Sequence, residues 1–154
     1  YGIRFWPAFK GRDGCRTPMV WNTGEPHAGF TSAEKSWLPV PYVHAMLAAD
    51  GQERKPDSVL NHYAATLAFR RHHASLRDGD MVFLDTQQDL LAFTRHKGEE
   101  TLLFVFNLTR EATEFLLPAD LTVGEVLTMP GFQPLFTGST VKLDGLDVFC
   151  ARIK

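Results

Sequence analysis

The chain has 154 residues, of which 44% are hydrophobic and 22% are charged, a composition close to that of ordinary globular proteins. Sixteen basic and 18 acidic residues give a net charge of −2, so no basic excess exists to neutralise the phosphates of a nucleic acid. Length and composition therefore exclude a collagen-like, low-complexity or generally disordered chain, and they predict one domain, or one small domain with an added segment, and no nucleic-acid partner.

Residues 1–40 contain all three tryptophans, four prolines and five glycines, without the period of a helix or a strand. A loop of this length is uncommon inside a compact domain and is usually either functional or disordered. Disordered segments are poor in aromatic residues. The sequence therefore predicts a long, ordered and functional loop at the start of the chain.

Two helices are predicted after this loop. The first covers residues 44–49 and ends at Asp50 and Gly51. The second covers about residues 57–76, where apolar side chains recur with i, i+3, i+4 spacing. Asp57 is predicted to cap its first turn.

From residue 80 onward, short apolar runs alternate with turn residues, a pattern typical of antiparallel sheets. The pattern predicts strands at residues 81–85, 90–96, 101–108, 113–117, 124–128, 141–143 and 147–153. The run at residues 101–106 is apolar on both faces, which predicts a central, doubly buried strand, and residues 96–100 are predicted to form a hairpin turn. Together these strands indicate a small β-sandwich.

The chemically reactive side chains do not form a catalytic or metal-binding set that can be recognised by spacing. The six histidines lack the paired spacings of metal ligands, and the acidic pairs flank turns, where aspartate caps local backbone. Cys15 is interpreted as a packed thiol. Asn107-Leu108-Thr109 matches the glycosylation triplet, which is frequent by chance and needs a secreted protein. We therefore predict no metal ligands from these residues.

Three observations bear on the compartment. No apolar run approaches the ~20 residues of a membrane helix, and the N-terminal residues lack the layout of a signal peptide. Cys15 and Cys150 do not make a disulfide framework, although the sequence leaves a single bridge between them open. We therefore expect no membrane partner and a cytoplasmic location.

Residues 11–22, which we call the arginine loop, combine Arg12, Asp13 and Arg16 with glycines, a proline and Trp21. Guanidinium groups present a planar fork of donors that suits carboxylates and hydroxyl groups. Flat aromatic rings suit the apolar faces of sugars. The residues alone leave two interpretations open: a sugar-binding loop, or an Arg–Asp pair that only holds the loop together.

The sequence GRDGCRTPMVW at residues 11–21 resembles the GRDxxRTPMQW stretch of α-glucosidases and oligo-1,6-glucosidases of the α-amylase superfamily. Residues 27–31 are similar to the NAGFT or HAGFT segment of this family, and residues 56–61 to the start of its DPNSVLNFY helix. Residues 101–109 resemble a strand of its C-terminal sandwich. Val20 departs from the pattern, because the family commonly has Gln before the Trp.

This resemblance implies the C-terminal tail of a (β/α)8 barrel followed by an antiparallel β-sandwich. Residues 1–79 would be the end of the catalytic barrel, with the loop after strand 8 and the last helix, and residues 80–154 the C-terminal sandwich. The nucleophile and acid/base carboxylates of these retaining glycosidases would lie at earlier strand ends. The resemblance thus implies no catalytic residue, metal site or cofactor in this segment, which by itself would be inactive.

The resemblance also assigns roles to particular side chains. Arg16 matches the family arginine that closes the pocket for the terminal glucose together with an aspartate from an early barrel loop. Arg12 and Asp13 would either contact the substrate or fix the loop, and Trp21 is interpreted as a core residue. Phe5 and Phe9 would border the entrance and shape the aglycone side.

The implied partners are an α-glucoside or small oligosaccharide and the N-terminal portion of the barrel. The preferred linkage, and hydrolysis against glucosyl transfer, stay open. The alternative is a non-catalytic carbohydrate-binding or interaction module derived from such an enzyme.

Overall fold

A computed structural model describes residues 11–86 and 89–154. The chain divides into two compact units, Tyr1–His62 and Tyr63–Lys154, which we describe in turn. This division concerns packing alone, and the domain boundary between residues 79 and 80 stays a prediction. No helix in the described residues has the length and apolar character needed to cross a bilayer.

In the described part of the first unit, short helical segments are joined by loops. Two 3-10 turns span Asp13–Cys15 and Pro26–Gly29, α1 spans Tyr42–Ala45, and α2 spans Ala49–Glu53. The single helix predicted over residues 44–49 is therefore wrong. Pro41 leads directly into α1, and extended backbone at Ala48 (φ −58°, ψ 145°) separates α1 from α2.

The long helix also differs from its prediction. Instead of one helix, α3 spans Val59–His72 and α4 spans Ala74–Asp78, because His73 is extended (φ −114°, ψ 111°). Ser58, and not Asp57, caps α3: the backbone N–H of Asn61 donates to the Ser58 hydroxyl at 3.2 Å. No residue of α3 is fully buried.

The second unit contains an antiparallel β-sandwich. Its strands are β1 (Asp80–Phe83), β2 (Leu90–Lys97), β3 (Glu100–Asn107), β4 (Thr113–Leu116), β5 (Val123–Val126), β6 (Leu135–Thr137), β7 (Thr140–Leu143) and β8 (Val148–Ile153). They form a five-stranded sheet in the order β1-β2-β3-β8-β5 and a three-stranded sheet in the order β4-β7-β6. The sequence pattern does not predict β6, because its three residues directly follow turn-forming residues that include Pro134.

The prediction of a central, doubly buried strand is confirmed by β3, which lies between β2 and β8. Leu103 and Val105 face the core between the two sheets. Leu102 and Phe104 face the opposite side, where Phe69 of α3 joins their cluster. The larger sheet is therefore covered on both faces, which explains why β3 has no polar face.

Two connections fix the ends of these strands. The predicted hairpin turn is confirmed: Lys97 pairs with Glu100, and Gly98 between them has φ 60°. At the other end of β3, the buried Asn107 donates through Nδ2 to the carbonyls of Glu111 (2.7 Å) and Asp144 (2.8 Å). Its Oδ1 accepts from the N–H and hydroxyl of Thr109. The side chain of Asn107 thus satisfies backbone groups of two loops and joins these loops at one corner of the sandwich.

Candidate functional site

The arginine loop begins with a tight turn bounded by the two arginines. Gly11 has a left-handed backbone (φ 69°), which glycine adopts without steric cost. The N–H of Cys15 donates to the carbonyl of Arg12, and the N–H of Arg16 donates to the carbonyl of Asp13, each at 3.1 Å. One 3-10 turn therefore holds Arg12, Asp13 and Arg16 within five consecutive residues.

The side chains of Arg12 and Arg16 are both exposed. In the part of the chain that the structure describes, neither guanidinium pairs with a carboxylate. Arg12 fixes the turn through its backbone instead, since its carbonyl accepts from the N–H and the thiol of Cys15. Both guanidinium groups thus remain available to a ligand or to an acidic side chain from elsewhere. Phe5 and Phe9 lie outside the described residues.

The second half of the arginine loop runs in an extended conformation, with alternate residues buried. Pro18 and Val20 are buried, whereas Met19 and Trp21 are exposed, Trp21 by 53%. The interpretation of Trp21 as a core residue is therefore wrong for the described chain, because the alternation places Val20 inside. Val20 packs with Ala28 and Ala48, so the aliphatic side chain that replaces the family's Gln forms part of a small core.

A strained turn supports this core. His27, Ala28 and Gly29 all have left-handed backbones, with φ of 51°, 53° and 70°, which is uncommon for residues other than glycine. The turn directs the carbonyl of Ala28 at the arginine loop, where it accepts from the N–H groups of Trp21 (2.8 Å) and Asn22 (3.1 Å). This double hydrogen bond fixes the backbone at the end of the loop.

The arginine loop also caps α2. The first N–H groups of a helix have no partner within the helix. Here Ala49 donates to the carbonyl of Val20 at 3.1 Å, and Asp50 donates to the carbonyl of Trp21 at 3.0 Å. The start of α2 is therefore satisfied by the backbone of the loop.

The side chain of Asp50 makes further hydrogen bonds next to this contact. Its Oδ1 accepts from the N–H and the hydroxyl of Thr23, both at 3.2 Å, and its Oδ2 accepts from Arg54 at 2.9 Å. Partial burial on its own would raise the pKa of Asp50, but the hydrogen bonds from Thr23 and the neighbouring Arg54 outweigh it and lower the pKa below its usual value. The carboxylate is therefore charged at neutral pH.

A second contact reaches the loop next to Arg16. The hydroxyl of Thr17 lies 3.4 Å from Nδ1 of His44, which α1 carries. Sequence reasoning missed both His44 and Asp50 as residues of this site. Each lies 27 positions from its partner, and no local spacing indicates such a contact.

The two cysteines are free: Cys15 is exposed and Cys150 is buried. The interpretation of Cys15 as a packed thiol is wrong, because Cys15 is exposed and its thiol donates to the carbonyl of Arg12 at 3.0 Å. Burial first, and then the charge of Glu100, raise the pKa of Cys150 to about 12. Among the described residues, no group of three or more His, Cys, Asp or Glu side chains is arranged to hold a metal ion.

Comparison with known proteins identifies the family. A family model described as the alpha amylase catalytic domain matches residues 3–79, half of the chain. The chain belongs to the alpha-amylase family. A probable alpha-glucosidase of Rhizobium meliloti (strain 1021) is 44% identical over 153 residues, which are 99% of this chain and 27% of that protein. A glucan 1,6-alpha-glucosidase of Streptococcus dysgalactiae subsp. equisimilis is 33% identical over 145 residues, which are 93% and 26% of the two chains.

The similarity also holds for the three-dimensional structure, as a solved alpha-amylase family relative shows. The crystal structure of the alpha-glucosyl transfer enzyme XgtA superposes with a TM-score of 0.85 at 40% identity, over 100% of this chain and 28% of that one. The predicted fold class, a barrel tail followed by an antiparallel β-sandwich, is confirmed. The chain spans about a quarter of the length of the curated relatives named above.

Proposed function

We propose that this chain is the C-terminal part of a retaining, exo-acting α-glucosidase that hydrolyses or transfers terminal α-linked glucose from short oligosaccharides or glucosides. The observation that carries the proposal is the arginine loop, whose backbone is tied at several points while its two guanidinium groups stay exposed. The family and the names of its relatives, among them alpha-glucosidases and an alpha-glucosyl transfer enzyme, support the reaction class.

In this proposal, residues 1–79 complete the barrel and residues 80–154 form the C-terminal domain. The match of the catalytic-domain model to residues 3–79 supports this division. The two carboxylates of a retaining glycosidase, about 5–5.5 Å apart, belong to the preceding barrel portion. The segment supplies the wall of the glycone pocket and has no activity of its own. We further propose a cytoplasmic location.

Arg16 is the proposed sugar-binding residue. A guanidinium that donates to sugar hydroxyls and to a barrel carboxylate forms charge-assisted hydrogen bonds, which are strong and directional. Arg12 is the second candidate, because its exposed guanidinium is not what fixes the turn. Asp13 is proposed either to contact the substrate or to fix the loop. Phe5 and Phe9 are proposed to shape the aglycone side.

Replacing Arg16 with Ala in the full-length protein tests this assignment. A hydrogen bond to a charged group contributes about 1.5–3 kcal/mol, so we expect kcat/KM for p-nitrophenyl α-glucoside and isomaltose to fall about 10–100-fold or more. Arg12→Ala is measured in parallel. Arg110→Ala, which removes an exposed arginine of the sandwich, is the matched control. Near-wild-type kcat/KM in Arg16→Ala would reject its role in the pocket.

Apolar side chains exposed in the first unit argue against an independent binding module. Trp37, Tyr42, Val43, Met46 and Leu47 are each more than half exposed. Clustered apolar surface of this kind normally marks an interaction site or promotes aggregation. It supports the proposal that a preceding barrel portion covers this part of the chain.

A further inference from the structure

Asp50 is bonded to the end of the arginine loop and to Thr23, the residue that follows the loop. Its N–H donates to the carbonyl of Trp21 at 3.0 Å, and its Oδ1 accepts from the N–H and the hydroxyl of Thr23 at 3.2 Å. One residue of α2 is thus both donor to and acceptor from the same short stretch of backbone. Together with the carbonyl of Ala28, these contacts fix the path of residues 21–23, and the side chain of Asp50 supplies the part that holds Thr23.

The other carboxylate oxygen of Asp50 is held by Arg54 in an ion pair of 2.9 Å. The side chain of Arg54 is 73% exposed, whereas that of Asp50 is 25% exposed. Ion pairs with such exposure contribute little to stability. The contacts with Thr23, rather than the ion pair with Arg54, therefore hold this stretch of backbone.

Two buried residues, Pro18 and Val20, lie between this anchor and Arg16. Pro18 has a fixed φ and restricts the conformation of Thr17 before it. Because the two buried residues tie the intervening backbone to the core, we expect a displacement of residues 21–23 to shift the backbone from which Arg16 extends.

We propose that Asp50 is a positioning residue for the arginine loop: it contacts no sugar, and it sets the position of Arg16 by fixing residues 21–23. This inference rests on the proposed function, since it requires Arg16 to bind the terminal glucose.

The test compares Asp50→Ala with Asp50→Asn in the full-length protein. A misplacement of about 1 Å in a substrate-binding group can cost about 100-fold in rate, so we expect Asp50→Ala to lower kcat/KM about 10–100-fold and to weaken competitive inhibition by glucose. Asp50→Asn keeps an oxygen that accepts from Thr23 and should recover most of the activity. Asp57→Ala, which removes an exposed aspartate from the same unit, should leave kcat/KM unchanged.

A double-mutant cycle separates positioning from a general loss of stability. If Asp50 acts through Arg16, then Asp50→Ala has little further effect once Arg16 is Ala, and the two changes are not additive. The same cycle is measured with Arg12→Ala. Additive effects of Asp50→Ala and Arg16→Ala, or an Asn variant as impaired as the Ala variant, would overturn the proposal.

The outcomes also separate this inference from the proposed function. If the native full-length protein turns over neither p-nitrophenyl α-glucoside nor isomaltose, the proposed function fails. If it does and Arg16→Ala is severe while Asp50→Ala is silent, only the positioning role fails. Should Asp50→Ala not fold, Thr23→Val takes its place in the cycle, because it removes one donor to the carboxylate. A loss of kcat/KM at an unchanged melting temperature is then still required.

Discussion

Gly145, between β7 and β8, shows how a single residue sets the corner of the sandwich. A Cβ built on Gly145 would lie 2.2 Å from the carbonyl oxygen of Arg110 and 2.5 Å from its carbon. Both neighbours belong to the backbone, which cannot move aside as a flexible side chain can. The loops that contain Gly145 and Arg110 are also joined by a hydrogen bond, in which the N–H of Leu146 donates to the carbonyl of Thr109 at 2.7 Å. Only glycine fits at a position where the two backbones come this close.

We therefore expect Gly145→Ala to destabilise the protein by about 2 kcal/mol or more, as overpacked sites commonly do. The measurement is denaturant unfolding followed by circular dichroism. Gly51→Ala is the control: Gly51 lies inside α2 with no heavy atom within 4 Å of its added Cβ, so this change should stabilise by about 0.5–1 kcal/mol. Equal midpoints for the two variants would contradict this account of the corner.

At the scale of elements, a carboxylate from the sheet caps a helix. His73 precedes α4 without a side-chain cap of its own. Glu100 supplies the cap from β3: one oxygen accepts from the N–H (3.1 Å) and hydroxyl (2.6 Å) of Ser75, and the other lies 2.7 Å from Nδ1 of His73. Burial would raise the pKa of Glu100, but these hydrogen bonds outweigh it and lower the pKa from 4.5 to about 2.

The pH dependence of this cap follows from the lowered pKa. Its contribution is complete above pH 4.5 and is lost as the pH falls from 4.5 towards 2, because over this range the unfolded chain binds a proton at Glu100 that the folded chain does not. Glu100→Gln should cost about 1–2 kcal/mol at neutral pH and reduce the loss of protection on acidification. Hydrogen exchange of the amides of α4 measures both. Glu99→Gln, an exposed neighbour, should change neither; an acid response identical in Glu100→Gln and the native protein would refute the role of the cap.

These contacts explain which elements could be predicted from the sequence. Strand β3 and its hairpin depend on local pattern, namely a run without polar residues and a glycine at a left-handed position. The break at His73 depends on Glu100, 27 residues further along, and could not be predicted. The same holds in the candidate site: the family motif identifies Arg16 and Arg12, whereas Asp50 joins them only through a long-range contact.

At the scale of the whole molecule, the exposed side of α3 is the clearest sign of what the chain is part of. Tyr63 is 65% exposed, although the helix has the apolar spacing of a buried one. The chain spans 27% of the probable alpha-glucosidase that it matches. In the proposed enzyme, the barrel portion covers this helix.

Tyr63→Asp tests that placement in the full-length protein. Because the proposed barrel buries this side chain, the charge should lower the melting temperature by about 2 degrees, as expected for a loss of about 2 kcal/mol in a chain of this full length. Leu116→Asp is the matched control, since Leu116 is 69% exposed on the three-stranded sheet and should tolerate the change. A harmless Tyr63→Asp would contradict the placement of α3 against a barrel.

The corner at Asn107 has a consequence for producing this protein in a secretory host. Asn107 begins a glycosylation triplet, yet both hydrogens of its amide are donated to backbone carbonyls in the folded chain. An oligosaccharide attached to that nitrogen would replace a hydrogen and break one of these bonds. Sugar transfer and folding therefore compete for the same atom, and the fraction of chains that acquire a glycan would measure how slowly the sandwich closes during secretion.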